Sequence, residues 1–333
     1  MSEPSSKPAV PERVFITGAL GLIGRRLAER YREAGSDVAG VDVRAEPQLG
    51  VVAGDLTERG VWEQAAEGAE LVIHTAARLG MEIEPEGFWR VNVVGTRNAL
   101  DAAVRGGAQR FVHISSIVAF GFDTPTDVDE RHPVRPNGVS YVDTKVASEQ
   151  VVLQTHGARE VGCTIIRPGD VYGPGSRFWT LTPVRELARR RIVLPAMGRG
   201  MMSPVYVDDL VEGTMLAAAH GDAVGEVFTL SGGHDVEARE FFGHYARMLG
   251  RRRVPVAPTP VVAAIAGALY HAGRLRGSAP EVTPAAIRYL SRSGTYSIEK
   301  ARTVLGYNPA VDLDEGMRRC EEWLRAEGVL GRL

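Results

Sequence analysis

Between Arg13 and about Ile166 the chain alternates short β-branched runs with longer amphipathic stretches. The short runs, at 14–17, 37–41, 71–74, 110–114 and 164–166, predict strands. The longer ones, at 22–34, 59–67, 86–105 and 139–156, predict helices. Strands and helices in strict alternation build βαβ units, so the expectation is an α/β domain whose parallel sheet is covered on both faces. After Arg167 the rhythm changes. Pro168, Gly173, Pro174 and Gly175 interrupt the chain, and a helix is predicted over 183–191. A strand at 205–207, a helix at 209–220 and a strand at 227–230 then return to the sheet. From Gly232 onward the pattern is mostly helical, with Asp235 as N-cap of a helix over 236–249. The predicted layout is a lead-in at 1–12, a large sheet domain over 13–175 with 204–231 returning to it, and a smaller lobe from 176–203 and 232–333.

Composition narrows the class. Of 333 residues, 44% are hydrophobic and 24% charged, which supplies a core and excludes global disorder. A formal net charge of −2 offers no basic field for a phosphate backbone, so nucleic acid is not an expected partner. Cys163 and Cys320 lie far apart and make neither a metal cluster nor a disulfide framework, so no metal is expected and the chain reads as cytoplasmic. The Ser- and Pro-rich start has no apolar segment of signal type and reads as disordered. The longest apolar run, 261–270, is short of the roughly 20 residues a bilayer requires and reads as a buried or lid helix.

The first predicted strand runs into Thr17-Gly18-Ala19-Leu20-Gly21-Leu22-Ile23-Gly24. Glycines allow a tight turn and close approach of a pyrophosphate to the backbone, and the following helix aims its N–H groups at the phosphates. Asp42 ends the second strand, as a dinucleotide fingerprint requires. Strand, loop, helix and acidic residue together point to a Rossmann-type doubly wound parallel sheet with a smaller, mostly helical substrate lobe. A carboxylate at Asp42 can accept both ribose hydroxyls of NAD and would repel the extra phosphate of NADP, while Arg44 could offset that repulsion. NAD is the expected cofactor.

Tyr141 and Lys145 stand four apart in a predicted helix and share a face. A phenol titrates near pH 10 when unperturbed, and a neighbouring ammonium favours its phenolate, making it a usable base. Lysine occurs only at Lys7, Lys145 and Lys300, which makes this placement informative. With the glycine loop, the pair resembles the extended short-chain dehydrogenase/reductase family. The resemblance also rests on Gly54-Asp55-Leu56, His74-Thr75-Ala76-Ala77, Asn92-Val93-Val94-Gly95-Thr96, Ser115-Ser116, Arg167-Pro168 and Val171-Tyr172-Gly173-Pro174. Tyr206-Val207-Asp208-Asp209 and Lys300-Ala301 before Leu305-Gly306-Tyr307 fit as well.

The resemblance implies that Ser116, Tyr141 and Lys145 are catalytic, with Lys145 also holding the nicotinamide ribose. Ser116 is selected over Ser115 by its spacing from Phe120-Gly121. Asp55 and Leu56 would meet adenine, Ala76 and Ala77 would line the cofactor trough, and the backbone from Pro168 to Val171 would meet the carboxamide. Asn92 is a cofactor-side candidate with a structural alternative. The family's homodimers, made by pairing helices equivalent to 86–105 and 139–156 into a four-helix bundle, imply the same assembly here.

Members acting on nucleotide sugars typically place Asn before Val-Tyr-Gly-Pro and Arg before the later Tyr-Val-x-Asp motif, both toward the substrate diphosphate. Those positions are Asp170 and Met202 here, poor ligands for a pyrophosphate. Apolar residues crowd the segments expected to face substrate, and Met81, Phe120, Phe178, Trp179 and Met202 are the candidate contacts. The sequence most resembles the 3-beta-hydroxysteroid dehydrogenase-like branch. The resulting expectation is hydride transfer between nicotinamide and a secondary alcohol or ketone of a hydrophobic, steroid-like or polyketide-like substrate. A nucleotide-sugar epimerase or dehydratase is the alternative, and a non-catalytic cofactor-sensing or scaffold protein a third.

Overall fold

The computed structural model describes residues 10–81, 85–275 and 283–331. Seven parallel strands form the main sheet: β1 (Arg13–Thr17), β2 (Asp37–Asp42), β3 (Val51–Ala53), β4 (Leu71–His74), β5 (Arg110–Ile114), β6 (Gly162–Pro168) and, later in the chain, β7 (Val227–Leu230). Their order across the sheet is β7-β6-β5-β4-β1-β2-β3. The chain therefore reverses direction of winding between β1 and β4, which is where doubly wound sheets open a crevice at the carboxyl ends of their strands.

Side chains alternate across the sheet. Val14 and Ile16 of β1 join one apolar cluster, and Phe15 joins the other. On one face lie α1 (Leu22–Glu33) and α6 (Val207–Ala219). The other face is covered by the helical stretch 85–105 and by α4 (Ser140–Gly157). In α1 the residues Gly24, Leu27, Ala28 and Tyr31 face inward at helical spacing, and Gly35, at φ +99°, ends the helix. The first cluster continues from β1 through Val205 and Leu210 to Phe241 and Tyr245 of α7 (Ala238–Met248) and to Met317 and Cys320 of α11 (Leu313–Ala326). Sheet and C-terminal helices thus share one core.

Several elements differ from their sequence pattern. The helix expected at 59–67 is a short 3-10 helix, Val61–Ala66. The stretch 86–105 comprises α2 (Pro85–Trp89), a π-turn (Arg90–Val94) and α3 (Gly95–Arg105). The helix expected at 183–191 is α5 (Thr182–Ala188), entered through a second π-turn, Arg177–Leu181. Asp235 is not an N-cap. Its carboxylate accepts a hydrogen bond from the Ser203 hydroxyl, and Val236–Glu237 instead pairs as a short strand with Met201–Met202 before α7 begins.

Two short parallel strands, Asp170–Tyr172 and Pro204–Tyr206, bring the chain after β6 against the returning segment. Beyond α7 follow α8 (Thr259–Leu275), α9 (Pro284–Leu290) and α10 (Glu299–Leu305). In α8, Val262 and Ala266 pack against Ile287 while Val261 and Ile265 face solvent, so the apolar run expected to be buried or a lid is half-exposed. No helix among the described residues is long and apolar enough to cross a membrane. Residues 1–9 of the expected lead-in lie outside the described residues, whereas Pro11 and Glu12 are bonded to Ser36 and Glu70.

Candidate active site

The glycine loop is shaped by contacts that leave no room for a side chain. Gly18 has φ +67°, and a Cβ there would lie 2.8 Å from the Ala76 nitrogen. At Gly24 a Cβ would lie 2.2 Å from the Gly18 carbonyl oxygen. The Gly18 N–H donates to Val41 O at 2.8 Å, and Gly21 N–H to Gly18 O at 2.9 Å, which curls the loop over the ends of β1 and β2. Gly21 caps α1 without a side-chain hydrogen bond, so Leu22, Ile23 and Gly24 open a helix whose N-terminal dipole is left for a ligand. Asp42 is half-buried. It accepts from Leu20 N–H at 3.0 Å and from Val43 N–H at 2.8 Å, which fixes its carboxylate beside the loop. Arg44 is exposed. This backbone cradle with a fixed acceptor at its rim fits a dinucleotide.

Along the trough, Ala76 and Ala77 are partly exposed beyond the end of β4. Asp55 is exposed and accepts from Thr57 N–H, while the Leu56 side chain belongs to the second core cluster. Pro168 ends β6 in the interior, and Val171 is partly buried. Asn92 is 2% exposed, and its amide is spent on the protein: Oδ1 accepts from Arg78 N–H at 2.7 Å, while Nδ2 donates to Arg78 O and to Thr144 Oγ1. The π-turn places it there as a clasp between the loop after β4 and α4, which corrects the expectation of a cofactor contact in favour of its structural alternative.

Ser116 opens a turn at the end of β5, where its hydroxyl accepts from Val118 N–H at 3.3 Å and lies near enough to the Tyr141 phenol to favour the phenolate. Ser115 points elsewhere, donating to Glu149 Oε1 at 2.5 Å. Lys145 is 3% exposed and donates from Nζ to Ile114 O at 2.8 Å. Burial pushes the Tyr141 phenol up to about 12, with Ser116 opposing. Burial also brings the Lys145 ammonium down to about 8, with Glu149 opposing. The phenol is therefore not depressed in the way the i,i+4 pair suggests, because desolvation outweighs the opposing influence of Ser116.

Beneath these groups lies a buried polar network that spacing alone does not reveal. Glu149 receives Arg167 at 2.7 Å and 3.0 Å, and the Arg167 guanidinium lies 4.5 Å over the Phe120 ring. His74 and His113 stack at 5.4 Å. The Thr96 hydroxyl donates to Asn92 O, so it accepts from His74 Nε2–H, and His74 Nδ1 accepts from Thr17 Oγ1. By the same reasoning His113 donates from Nε2 to Ser148, whose hydroxyl is spent on Lys145 O. Burial, and then the Lys145 charge, lowers His74 to about 3 and His113 well below its usual range, so both rings are neutral. The signal for Glu149 was present in the sequence: it continues the Tyr141, Lys145 face by one more i+4 step.

On the outer side, Tyr141, Met81 and Trp179 each pack against a buried cluster of Val118, Phe122, Val142 and Tyr289. Met81 and Trp179 are only partly buried there, and Phe178, next to Trp179 in the chain, is 40% exposed. Two expected contacts are corrected. Phe120 is 2% exposed and packs inward against Ile117, Val128 and Tyr296, and Met202 is fully buried in the main core. Asp170 also departs from its expected role as a carboxylate facing substrate, because it is buried in an ion pair with Arg292.

Residues 14–231 match the model of the NAD dependent epimerase/dehydratase family, and the chain belongs to that family. Among curated proteins it is 30% identical to a 3 beta-hydroxysteroid dehydrogenase/Delta 5-->4-isomerase of Mycobacterium tuberculosis, over 92% of this chain and 89% of that one. It is 31% identical to the 4-hydroxy-2-methyl-3-oxo-4-farnesyl-3,4-dihydroquinoline-1-oxide ketoreductase of Stigmatella aurantiaca, over 96% and 98%. Among solved structures, MoeE5 in complex with UDP-glucose and NAD superposes with a TM-score of 0.75 at 26% identity, covering 95% of this chain and 99% of that one. The relatives named as dehydrogenases and ketoreductases make this a family of enzymes, and the seven-stranded sheet is its fold.

Proposed function

We propose that the protein is an NAD-dependent oxidoreductase that transfers hydride between nicotinamide and a secondary alcohol or ketone on a hydrophobic substrate. The observation that carries this reading is the placing of Tyr141, with Ser116 near its phenol and Lys145 one turn along the same helix, against an apolar cluster of Val118, Phe122, Val142 and Tyr289. The glycine loop and Asp42 would hold NAD, which supplies or accepts the hydride when bound. Tyr141 holds or releases the proton at the substrate oxygen, and Ser116 donates a hydrogen bond to that oxygen as its charge changes. Lys145, charged below about pH 8, supplies positive charge behind the phenol and a donor for a ribose hydroxyl. The segments 13–175 and 204–231 serve the cofactor, and 176–203 with 232–333 the substrate.

The hydrophobic-substrate reading is supported by the steroid dehydrogenase and ketoreductase relatives and by the absence of a free side-chain cation at positions 170 and 202. The nucleotide-sugar alternative is supported by the likeness to MoeE5, whose complex holds UDP-glucose. A panel of steroids, ketoesters and UDP-sugars, assayed by nicotinamide absorbance, separates the two. Turnover of apolar alcohols or ketones is expected; UDP-sugar binding without it would replace the reading. We further propose a homodimer through the exposed Trp89, Val94 and Leu153 on the helices that cover one sheet face. A monomer mass by light scattering would reject that assembly.

A further inference from the structure

The Asp170–Arg292 pair has no obvious value for stability. Both side chains are 0% exposed, with Nη2 to Oδ2 at 2.8 Å. Taking two charges out of water costs several kcal/mol, and apolar replacements of such pairs are often neutral or stabilising. What the pair does is hold a ring. Asp170 accepts from the Tyr289 phenol and from Ser203 N–H, and the Arg292 guanidinium lies 3.7 Å over the Tyr289 ring. Arg292 is further tied in by its own carbonyl, which accepts from Met201 N–H at 2.7 Å.

Tyr289 in turn belongs to the apolar cluster against which both Tyr141 and Trp179 pack. It meets Phe122 edge-on at 5.6 Å and stacks on Trp179 at 5.7 Å with an interplanar angle of 28°. Trp179 is held from two further sides, by the edge of Phe241 at 6.1 Å and by the Tyr245 hydroxyl, which donates to the Trp179 carbonyl. Tyr289 is 6% exposed, whereas Trp179, Met81 and Tyr141 are only partly buried. The ring that the ion pair fixes is thus more buried than the candidate substrate contacts, and it supports one of them, Trp179.

The geometry points to Arg292 and Asp170 as positioning residues that act through Tyr289. They lock the Trp179 indole in one plane on the cluster that Tyr141 also packs against, and so make the site prefer rigid, flat apolar ketones and alcohols over flexible chains. A flat partner gains stacking contact with a fixed indole without loss of its own freedom, whereas a flexible chain loses rotamer entropy on the same surface. This inference rests on the proposed oxidoreductase reading and specifies the shape of substrate which that site takes.

The test compares acetylnaphthalene with dodecanone, apolar ketones of equal carbon count, titrated by calorimetry into NAD-loaded enzyme, which has no hydride to give them. The wild type is expected to bind acetylnaphthalene about tenfold more tightly, the upper range of one aromatic contact. The double variant Asp170→Leu/Arg292→Met removes both charges but leaves the buried Tyr289 phenol and Ser203 N–H without their acceptor, so Tm should fall while the preference drops to about twofold or less. A purely structural pair predicts a lowered Tm with the preference kept, and that result would overturn the inference while leaving the oxidoreductase reading intact. Should the double variant not fold, Tyr289→Phe retains the ring and removes only the phenol oxygen; its preference is expected to drop about threefold, and an unchanged preference overturns the inference. Wild-type enzyme that binds neither ketone but does bind UDP-glucose overturns both readings together.

Discussion

Replacing Lys145 by Met removes a buried ammonium, and the structure fixes how the consequence depends on pH. The group falls from 10.5 to about 8 on burial, a difference of roughly 2.5 units, or about 3 kcal/mol at about 1.36 kcal/mol per unit. Below about pH 8 the folded wild type carries the full cost of the buried charge. As pH rises from there toward 10.5, the folded state releases a proton that the unfolded state still holds, so folding stability increases. Lys145→Met has no such group, and its stability lacks this rise. The groups that face Lys145 do not cancel the effect: His74 and His113 are already neutral in this range, and Glu149 keeps Arg167 as its partner. Urea unfolding of both proteins, from about pH 7 to about pH 10, gives the difference in stability at each pH. Wild type should gain about 3 kcal/mol on the variant across the window. A difference that stays flat, or that moves against the wild type, would refute burial as the dominant influence on this lysine.

Three further outcomes are expected. Gly24→Ala places a Cβ where the Gly18 carbonyl oxygen sits and should weaken NAD binding at least about tenfold by calorimetry; unchanged affinity would mean the phosphates bind elsewhere. Asp42→Ser should lower the preference for NADH over NADPH in parallel titrations, and a preference that is unchanged would remove Asp42 from the cofactor site. Glu149→Gln leaves the Arg167 charge buried at 4% exposure without its partner and should cost about 3–5 kcal/mol in urea unfolding; a neutral result would show the pair to be replaceable.

The parallel sheet was legible because its strands are β-branched runs between helices of regular period, whereas the short strand Val51–Ala53 carried no such pattern. The glycine loop and the Tyr141–Lys145 face were legible for the same reason: each depends on spacing within one element. What escaped depends on distant partners. Asn92 was ambiguous from sequence, because only the π-turn aims its amide at Arg78 and Thr144. Asp170 looked like a charge facing substrate until Arg292 and Tyr289, far along the chain, closed over it. Phe120 and Met202 were apolar residues in the right segments, and hydrophobicity does not say which side of a segment faces the pocket. Asp235 had cap chemistry, but Ser203 engages it and a strand pairing displaces the helix start.

The central claim is that Tyr141 handles the proton of an alcohol or ketone. The most direct measurement is turnover of Tyr141→Phe on the best substrate from the panel, with the NADH dissociation constant taken in parallel. The variant loses one oxygen from a ring that packs among Val118, Phe122 and Tyr289, so fold and cofactor affinity should persist. Turnover should fall about 10²–10⁴-fold, the usual contribution of a general acid or base. Wild-type turnover in a variant that binds NADH normally would contradict the claim.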